Sequence, residues 1–504
     1  MILSIRTKYF IRDTICLLFV LLFIYASTSK LMDFQHFRIE LGQSPLLSAF
    51  ADQFSVIVPV LEIIICVLLL IPRFKTAGLF ASYGLMVMFT AYIFIILHYT
   101  PFVPCSCGGV LEKMSWNAHL VFNVVFIFLG IAAILLTANF DKQNISTSYR
   151  KSLIWIFSIA FSGIAAVIFL FICSEQIMHY ENPFIRRYPR HAAMFRNELD
   201  LKYNSYYFAG TNGGRIYLGN FTAPLQLLSV DKNLGNQKVD RIIFNGGKIL
   251  FHRPTVRVQN HYFYLTDGTV PAVFRGSSKD WTLNKKFNGL PYFDQALPMD
   301  SSRIVLRSNK GNDLANILGV FDNDNGKLNY NAHLLQKQLD GVFDTDGRLL
   351  YDETAQKIVY VYFYRNQFIA AGKNAELISR SRTIDTTSQA RLKVSYLKNS
   401  SERKMSAPPY IVNAGAATYG NLLFIHSKVR GRFQDEKTWN QAFIIDVYDI
   451  NKQSYIMSFP IYKIKDEKLK SIVATRDHLY AIIGNSLVAY EFKASLKKEM
   501  KSAE

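Results

Sequence analysis

Two cysteines, Cys105 and Cys107, stand one serine apart in the stretch PCSCGG, residues 104–109. Thiols this close in sequence can cycle between dithiol and disulfide, one attacking as thiolate and the other resolving the mixed disulfide. A single intervening residue closes a tighter ring than C-x-x-C, and strain of that kind makes a disulfide easier to reduce. Gly108 and Gly109 remove side chains beside the sulfurs, which eases both the turn and a partner's approach. The same pair also fits a permanent staple of its loop, or two idle thiols. No metal is expected, because no second cysteine pair is at hand to complete four zinc ligands.

Other chemistry-bearing residues lie around this pair. Cys173 closes the last long apolar run, at the depth of the PCSCGG loop. It is either a third thiol that exchanges with the loop pair or an inert group at a helix end. Cys16 and Cys66 fall nearer the opposite face. His98, Trp116, Asn117, His119 and Asn123 flank the loop, and His119 and Asn123, four apart, share a helix face. A histidine beside a thiol raises its thiolate fraction, which makes His119 a candidate catalytic residue. Anchoring at the membrane interface is the plainer role for Trp116 and the histidines. Glu62 is the one carboxylate inside an apolar span, where charge is costly and is paired or functional. Lys30 is its expected partner. A structural ion pair is the simpler reading of Lys30 and Glu62; a proton relay or a quinone contact is the alternative, so a quinone is the one cofactor candidate.

The elements that hold these residues are apolar runs. They cover residues 14–26 (extended through STSKL), 54–71, 77–99, 117–138 and 152–173. Each approaches the ~20 residues that cross a bilayer core of ~30 Å. Helices are the expected form, because backbone groups in lipid must be satisfied within the segment. The first run has the basic start and short apolar core of a cleaved signal peptide. It reads on past residue 30 as a helix end and further spans follow, so an uncleaved span is expected.

Charge sets the direction. Arg6, Lys8, Arg12, Arg73, Lys75, Lys142, Arg150 and Lys151 mark one set of ends, which the positive-inside rule makes cytoplasmic. Five spans from a cytoplasmic start put the PCSCGG loop and everything after Cys173 outside. Arg186, Arg187, Arg190 and Arg196 then lie on the outer side, which long translocated domains tolerate. The expected location is a bacterial inner membrane, multi-pass, with the C-terminal domain in the periplasm.

The chain has 504 residues, too many for one ordinary core. Its net charge of +19 is spread mostly over the region beyond Cys173. No basic run interleaved with aromatics suggests a nucleic-acid groove, so membrane lipid and protein are the expected partners. All five cysteines lie at or before Cys173, so the C-terminal region folds without a disulfide framework.

That region repeats one phrase: a β-rich run, a turn with Gly, Asn or Asp, and a second β-rich run. Residues 215–231, 260–276, 357–372, 421–450 and 478–492 are examples. Val, Ile, Tyr and Phe favour strands, and GN, DG and RN favour tight hairpins. Recurrence every several tens of residues suits four-stranded propeller blades. At ~45 residues per blade the length fits about seven, and six nearly as well. A pair of β-sandwiches is the competing fold. The histidines here are scattered, and no G-x-S-x-G is present. The DNDNG stretch from Asp322 to Gly326 lacks the closing glutamate of a calcium loop, since His333 stands there.

The membrane half resembles the DoxX/MauE group of redox-associated membrane proteins, in particular the methylamine-utilisation MauE type. The resemblance is carried by YASTSKLMDFQHF (residues 25–37), PVLEIIICVLLLIPRFKTAG (59–78) and PCSCGGVLEKMSWNAHLVFNVVF (104–126). It implies a four-helix bundle with a part in thiol–disulfide or electron-transfer chemistry of exported proteins. It implies roles for Cys105, Cys107, Lys30, Glu62 and His119. The expected domains are a four-helix transmembrane domain (1–140), a fifth span and connector (141–200) and a periplasmic β-propeller of six or seven blades (201–495). The expected function is a membrane thiol–disulfide redox protein, a thiol–disulfide oxidoreductase if an enzyme at all, serving exported or thioredoxin-like partners docked by the propeller. The alternatives are a non-catalytic anchored scaffold with a structural disulfide, and a tethered propeller hydrolase.

Overall fold

A computed structural model describes residues 5–44, 46–99, 115–138, 145–177, 184–189, 191–244, 251–310, 315–396, 403–405 and 408–500. The chain forms two compact units, Met1–Arg190 with Arg432–Asp435, and His191–Gly431 with Glu436–Glu504.

The first unit is helical: α1 (Ile5–Met32), α2 (Phe34–Gln43), α3 (Ala51–Leu70), α4 (Lys75–Tyr99), α5 (Trp116–Ala138) and α6 (Ile145–Gln176). Five of these contain transmembrane spans, Arg6–Met32, Ala51–Leu70, Pro72–Tyr99, Trp116–Thr137 and Tyr149–Ser174. A helix apolar on every side suits lipid, because its outward face needs no water. Large apolar side chains accordingly point outward, among them Phe10, Leu21, Phe128, Phe157 and Phe161. The inward set, including Phe19, Phe23, Leu69, Leu79, Met86 and Ala133, forms one core.

Within it, α1 packs on α3 and α5, and α4 packs on α3, α5 and α6. The α4–α6 contact is close because it is made at glycine. A Cβ on Gly84 would stand 3.0 Å from Ile159 Cγ2, and one on Gly163 would stand 3.2 Å from Met88 Cγ. Small residues let membrane helices approach where no hydrophobic effect drives them together. Because the spans alternate in direction, the C-terminal ends of α1, α4 and α6 and the N-terminal ends of α3 and α5 share one end of the bundle. Polar pairs tie both ends: Asp13 accepts from Lys75 Nζ at 3.0 Å at one, and Arg38 Nε donates to Asp52 Oδ1 at 2.6 Å at the other.

The second unit is six four-stranded antiparallel sheets. Their first strands, Tyr206–Asn212, Thr255–Gln259, Gln295–Pro298, Gly347–Asp352, Asn413–Tyr419 and Leu469–Ala474, neighbour one another in a closed ring. This is a six-bladed β-propeller. Each blade runs outward from its ring strand in chain order, except the last. There the outermost place is taken by Ala193–Asp200, which pairs antiparallel with Ser486–Phe492 in a register that sets Leu199 opposite Leu487. The start and end of the propeller are thus hydrogen-bonded into one blade, which closes the ring. That strand falls in the stretch that the sequence marks as connector. Five of its eight residues in a row are exposed, so it offers no apolar pattern.

Six blades fill the length instead of seven because one connection carries extra chain. A small hairpin, Val394–Tyr396 with Arg403–Met405, lies between the fourth and fifth blades. The middle strands are buried on both faces: all six residues of Leu422–Ser427 and all eight of Ala442–Asp449. Such strands read as continuous apolar runs instead of alternating ones. Aspartates order the turns. Asp449 Oδ1 accepts from the N–H groups of Asn451 and Lys452, and Asp231, Asp267 and Asp300 each accept from the N–H two residues on. The DNDNG stretch is another such turn, with Asp324 also bound to Lys285 Nζ at 3.0 Å. Adjacent blades meet backbone to backbone at Gly210, where φ is +153° and an added Cβ would stand 2.2 Å from Val258 O.

Candidate functional site in the helical bundle

Lys30 ends α1, and Glu62 lies three residues beyond Pro59 in the middle of α3. Their side chains form a buried ion pair, Lys30 Nζ to Glu62 Oε1, with Glu62 0% exposed. The ammonium also lies 5.7 Å from the ring centres of both Phe37 and Phe89, which adds cation–π attraction. A charge this far from water persists only when paired. The pairing foreseen from sequence is therefore present, made by the short reach between the end of α1 and the middle of α3.

The pair borders a cavity of about 170 Å³. Its wall comes from every helix: the second half of α1, α2, the first half of α3, the second half of α4, the start of α5, and Val167 and Leu170 of α6. That is the end of the bundle where α4 stops and α5 begins. Most lining groups are aliphatic or aromatic. The polar exceptions converge from different helices: Lys30, Glu62, and from α5 Trp116, His119 and Asn123. Positions 116, 119 and 123 recur at helical spacing and present one face. The Trp116 and His119 rings stack at 6.2 Å with planes 26° apart. Three buried polar atoms at this site have no hydrogen-bond partner among the described residues: Glu62 Oε2, Trp116 Nε1 and Asn123 Nδ2. Buried polar groups are satisfied in the great majority of cases, so three such atoms around one cavity mark it as a candidate binding site.

The remaining candidates scatter. Cys105 and Cys107 lie outside the described residues, on the segment between Tyr99 and Trp116. Cys173 is half-buried in the last turn of α6 and does not line the cavity. Cys16 and Cys66 are buried in the bundle core, where Cys66 Sγ approaches Val20 O at 3.6 Å. His98 is exposed, its Nδ1 3.0 Å from Phe94 O of its own helix, and does not join the site. The sequence picked out two separate sets, Lys30 with Glu62, and Trp116, His119 and Asn123 beside the loop. It gave no sign that they share one cavity, nor that α2 and α6 help to wall it.

In the propeller, three perturbed groups sit in structural contacts. Burial pushes the imidazole of His426 down to about 3, with Lys428 adding to the effect, and its ring meets Phe443 edge-on at 5.3 Å. Arg307 Nη1 donates to Asp346 at 2.7 Å and Tyr360 Oη at 2.6 Å, joining two blades. Glu491 is held down at about 2 by hydrogen bonds from Lys493 and Arg196. No group of three His, Cys, Asp or Glu side chains among the described residues has the geometry to hold a metal ion.

Residues 8–137 match the family of the methylamine utilisation protein MauE. No curated protein matches the chain. Several solved structures are similar to it in part. A member of the DUF4221 family from Bacteroides vulgatus is 14% identical, with a TM-score of 0.39 over 60% of this chain and 97% of that one. BamB from Moraxella catarrhalis is 10% identical, with a TM-score of 0.31 over 56% and 85%. Virginiamycin B lyase from Staphylococcus aureus is 11% identical, with a TM-score of 0.34 over 59% and 99%. The blade count stands on the sheet order of this chain itself. Residues 8–137 are thus a MauE-family membrane domain, which this chain extends with a further transmembrane helix and a six-bladed β-propeller.

Proposed function

We propose that the protein is a membrane thiol–disulfide redox protein of the bacterial inner membrane, working on exported or thioredoxin-like partners that its propeller holds. The supporting observation is the Cys-Ser-Cys pair within the MauE-family domain, on the segment joining α4 to α5. A partner thiolate attacks the Cys105–Cys107 disulfide, breaking the S–S bond and forming a mixed disulfide. The partner's second thiolate then displaces the loop cysteine. The partner leaves oxidised, and the loop pair keeps two electrons and, after protonation, two protons. Cys173 ends α6 at the end of the bundle from which that segment springs, which favours it as a further thiol for exchange. The basic ends Arg6, Lys8, Arg12, Arg73 and Lys75 favour a cytoplasmic opposite face and a periplasmic propeller.

Thiol trapping in intact cells tests this reading. A mixture of oxidised and reduced loop cysteines that shifts with the redox state of the periplasm is expected. A pair that stays fully oxidised throughout overturns it in favour of an anchored scaffold with a structural disulfide. A Cys105→Ser or Cys107→Ser variant should accumulate a mixed disulfide whose partner mass spectrometry identifies.

A further inference from the structure

We infer that the cavity at the α4–α5 end of the bundle binds the head group of a membrane quinone. The argument starts from size. An apolar protein cavity of about 150 Å³ takes one benzene ring, and this one measures about 170 Å³. It lies among membrane spans and its lining is mostly apolar, which favours a lipid-soluble ligand. Lys30 and Glu62 cancel each other's charge, which favours an uncharged occupant over an ion.

The polar groups then choose among uncharged rings. Trp116 Nε1 and Asn123 Nδ2 are buried N–H donors without partners among the described residues, and Glu62 Oε2 is an acceptor in the same condition. A plain hydrocarbon or an acyl chain would leave all three unsatisfied. A quinone supplies carbonyl oxygens to the two donors. Its reduced form supplies a hydroxyl to the carboxylate as well. The stacked rings of Trp116 and His119 and the phenyl groups of Phe37, Phe89 and Phe122 give flat apolar surface beside these atoms. The inference concerns binding and holds whether or not the loop cysteines cycle. Where they do, the chemistry balances. Closing two thiols to a disulfide releases two electrons and two protons, the number that converts a quinone to a quinol.

The test uses the full chain in nanodiscs of pure phosphatidylcholine, titrated with a 1,4-benzoquinone carrying a ten-carbon tail. Quinone retained per protein, above that in empty nanodiscs, is measured by extraction and chromatography. Saturable retention near one per chain is expected. Trp116→Phe keeps an aromatic ring and removes the N–H, and should weaken binding about tenfold, the effect of one hydrogen bond. Glu62→Gln should weaken the quinol more than the quinone. Ala26→Phe fills the cavity from α1 without removing a polar group and should abolish retention, with the helical circular dichroism of each variant checked against the parent. Retention is measured without any thiol partner, so a failure of the thiol reading leaves it unchanged and is distinguishable from a failure here. Retention that never saturates, or that is equal in the parent and in correctly folded Trp116→Phe and Ala26→Phe, overturns the inference; phospholipid as the sole occupant by native mass spectrometry does the same.

Discussion

Replacing Lys30 by methionine strands a buried carboxylate. Glu62 is 0% exposed, and Lys30 is its salt-bridge partner among the described residues. Opposite unit charges ~4 Å apart attract by about 4 kcal/mol at an effective dielectric of ~20. Removing one member of a buried pair costs about 3–5 kcal/mol, because the other is left without compensation. Lys30→Met should therefore destabilise the bundle by about 3–5 kcal/mol, a large share of the stability of an ordinary domain. The double variant Lys30→Met, Glu62→Leu removes both charges and keeps apolar volume, so it should return to within about 1 kcal/mol of the parent or exceed it. Equilibrium unfolding of the full chain in mixed micelles, followed by helical circular dichroism, measures both. The reasoning fails if Lys30→Met costs less than about 1 kcal/mol. It fails equally if the double variant is as weak as the single one, since the loss would then come from packing and not from a stranded charge.

Four further outcomes follow from the same structure. His426 titrates near 6.5 when unfolded and near 3 when buried, so the unfolded state holds the extra proton between those values. Its contribution is complete above about pH 6.5 and is lost as pH falls, at about 1.4 kcal/mol per pH unit, until it levels near pH 3; unfolding of the β signal between pH 5 and 7 should be visibly less pH-dependent in His426→Leu. Phe424 is 0% exposed and stacks on Phe492 at 5.3 Å, so Phe424→Ala should cost about 3–5 kcal/mol by denaturant unfolding. Gly84→Val drives methyl groups into Ile159 where α4 meets α6 and should cost about 1–3 kcal/mol in micelle unfolding. A membrane-impermeant maleimide should label a cysteine placed at exposed Tyr203, on a chain with Cys105, Cys107 and Cys173 changed to serine, in spheroplasts without permeabilisation; labelling only after lysis would put the propeller in the cytoplasm.

How far the sequence reached differs between the two units. The five apolar runs announced the spans because lipid imposes the same demand on every residue of a helix, and length alone meets it. Glu62 and Lys30 were legible as a pair because charge in a membrane must be compensated. In the propeller, all five repeated phrases proved to be the second and third strands of their blades. Those strands are buried on both faces, and continuous apolar runs are easily seen. The edge strands were less visible, since Ala193–Asp200 and Lys238–Arg241 are largely exposed and carry little apolar pattern. The third blade is harder to read as a repeat, because its second strand, Arg303–Lys310, ends in the polar run Arg307, Ser308, Asn309 and Lys310.

The sequence by itself determined the two-part organisation, the membrane spans, the strand-rich repeats and the individual residues able to do chemistry. These follow from local composition, which each segment carries on its own. Tertiary structure decided the number of blades, because ring closure depends on Ala193–Asp200 meeting Ser486–Phe492 from the far end of the domain. It also decided that Lys30, Glu62, Trp116, His119 and Asn123 surround one cavity. Their helices are separated by long stretches of chain, and only the packing of alternating spans brings the right ends together.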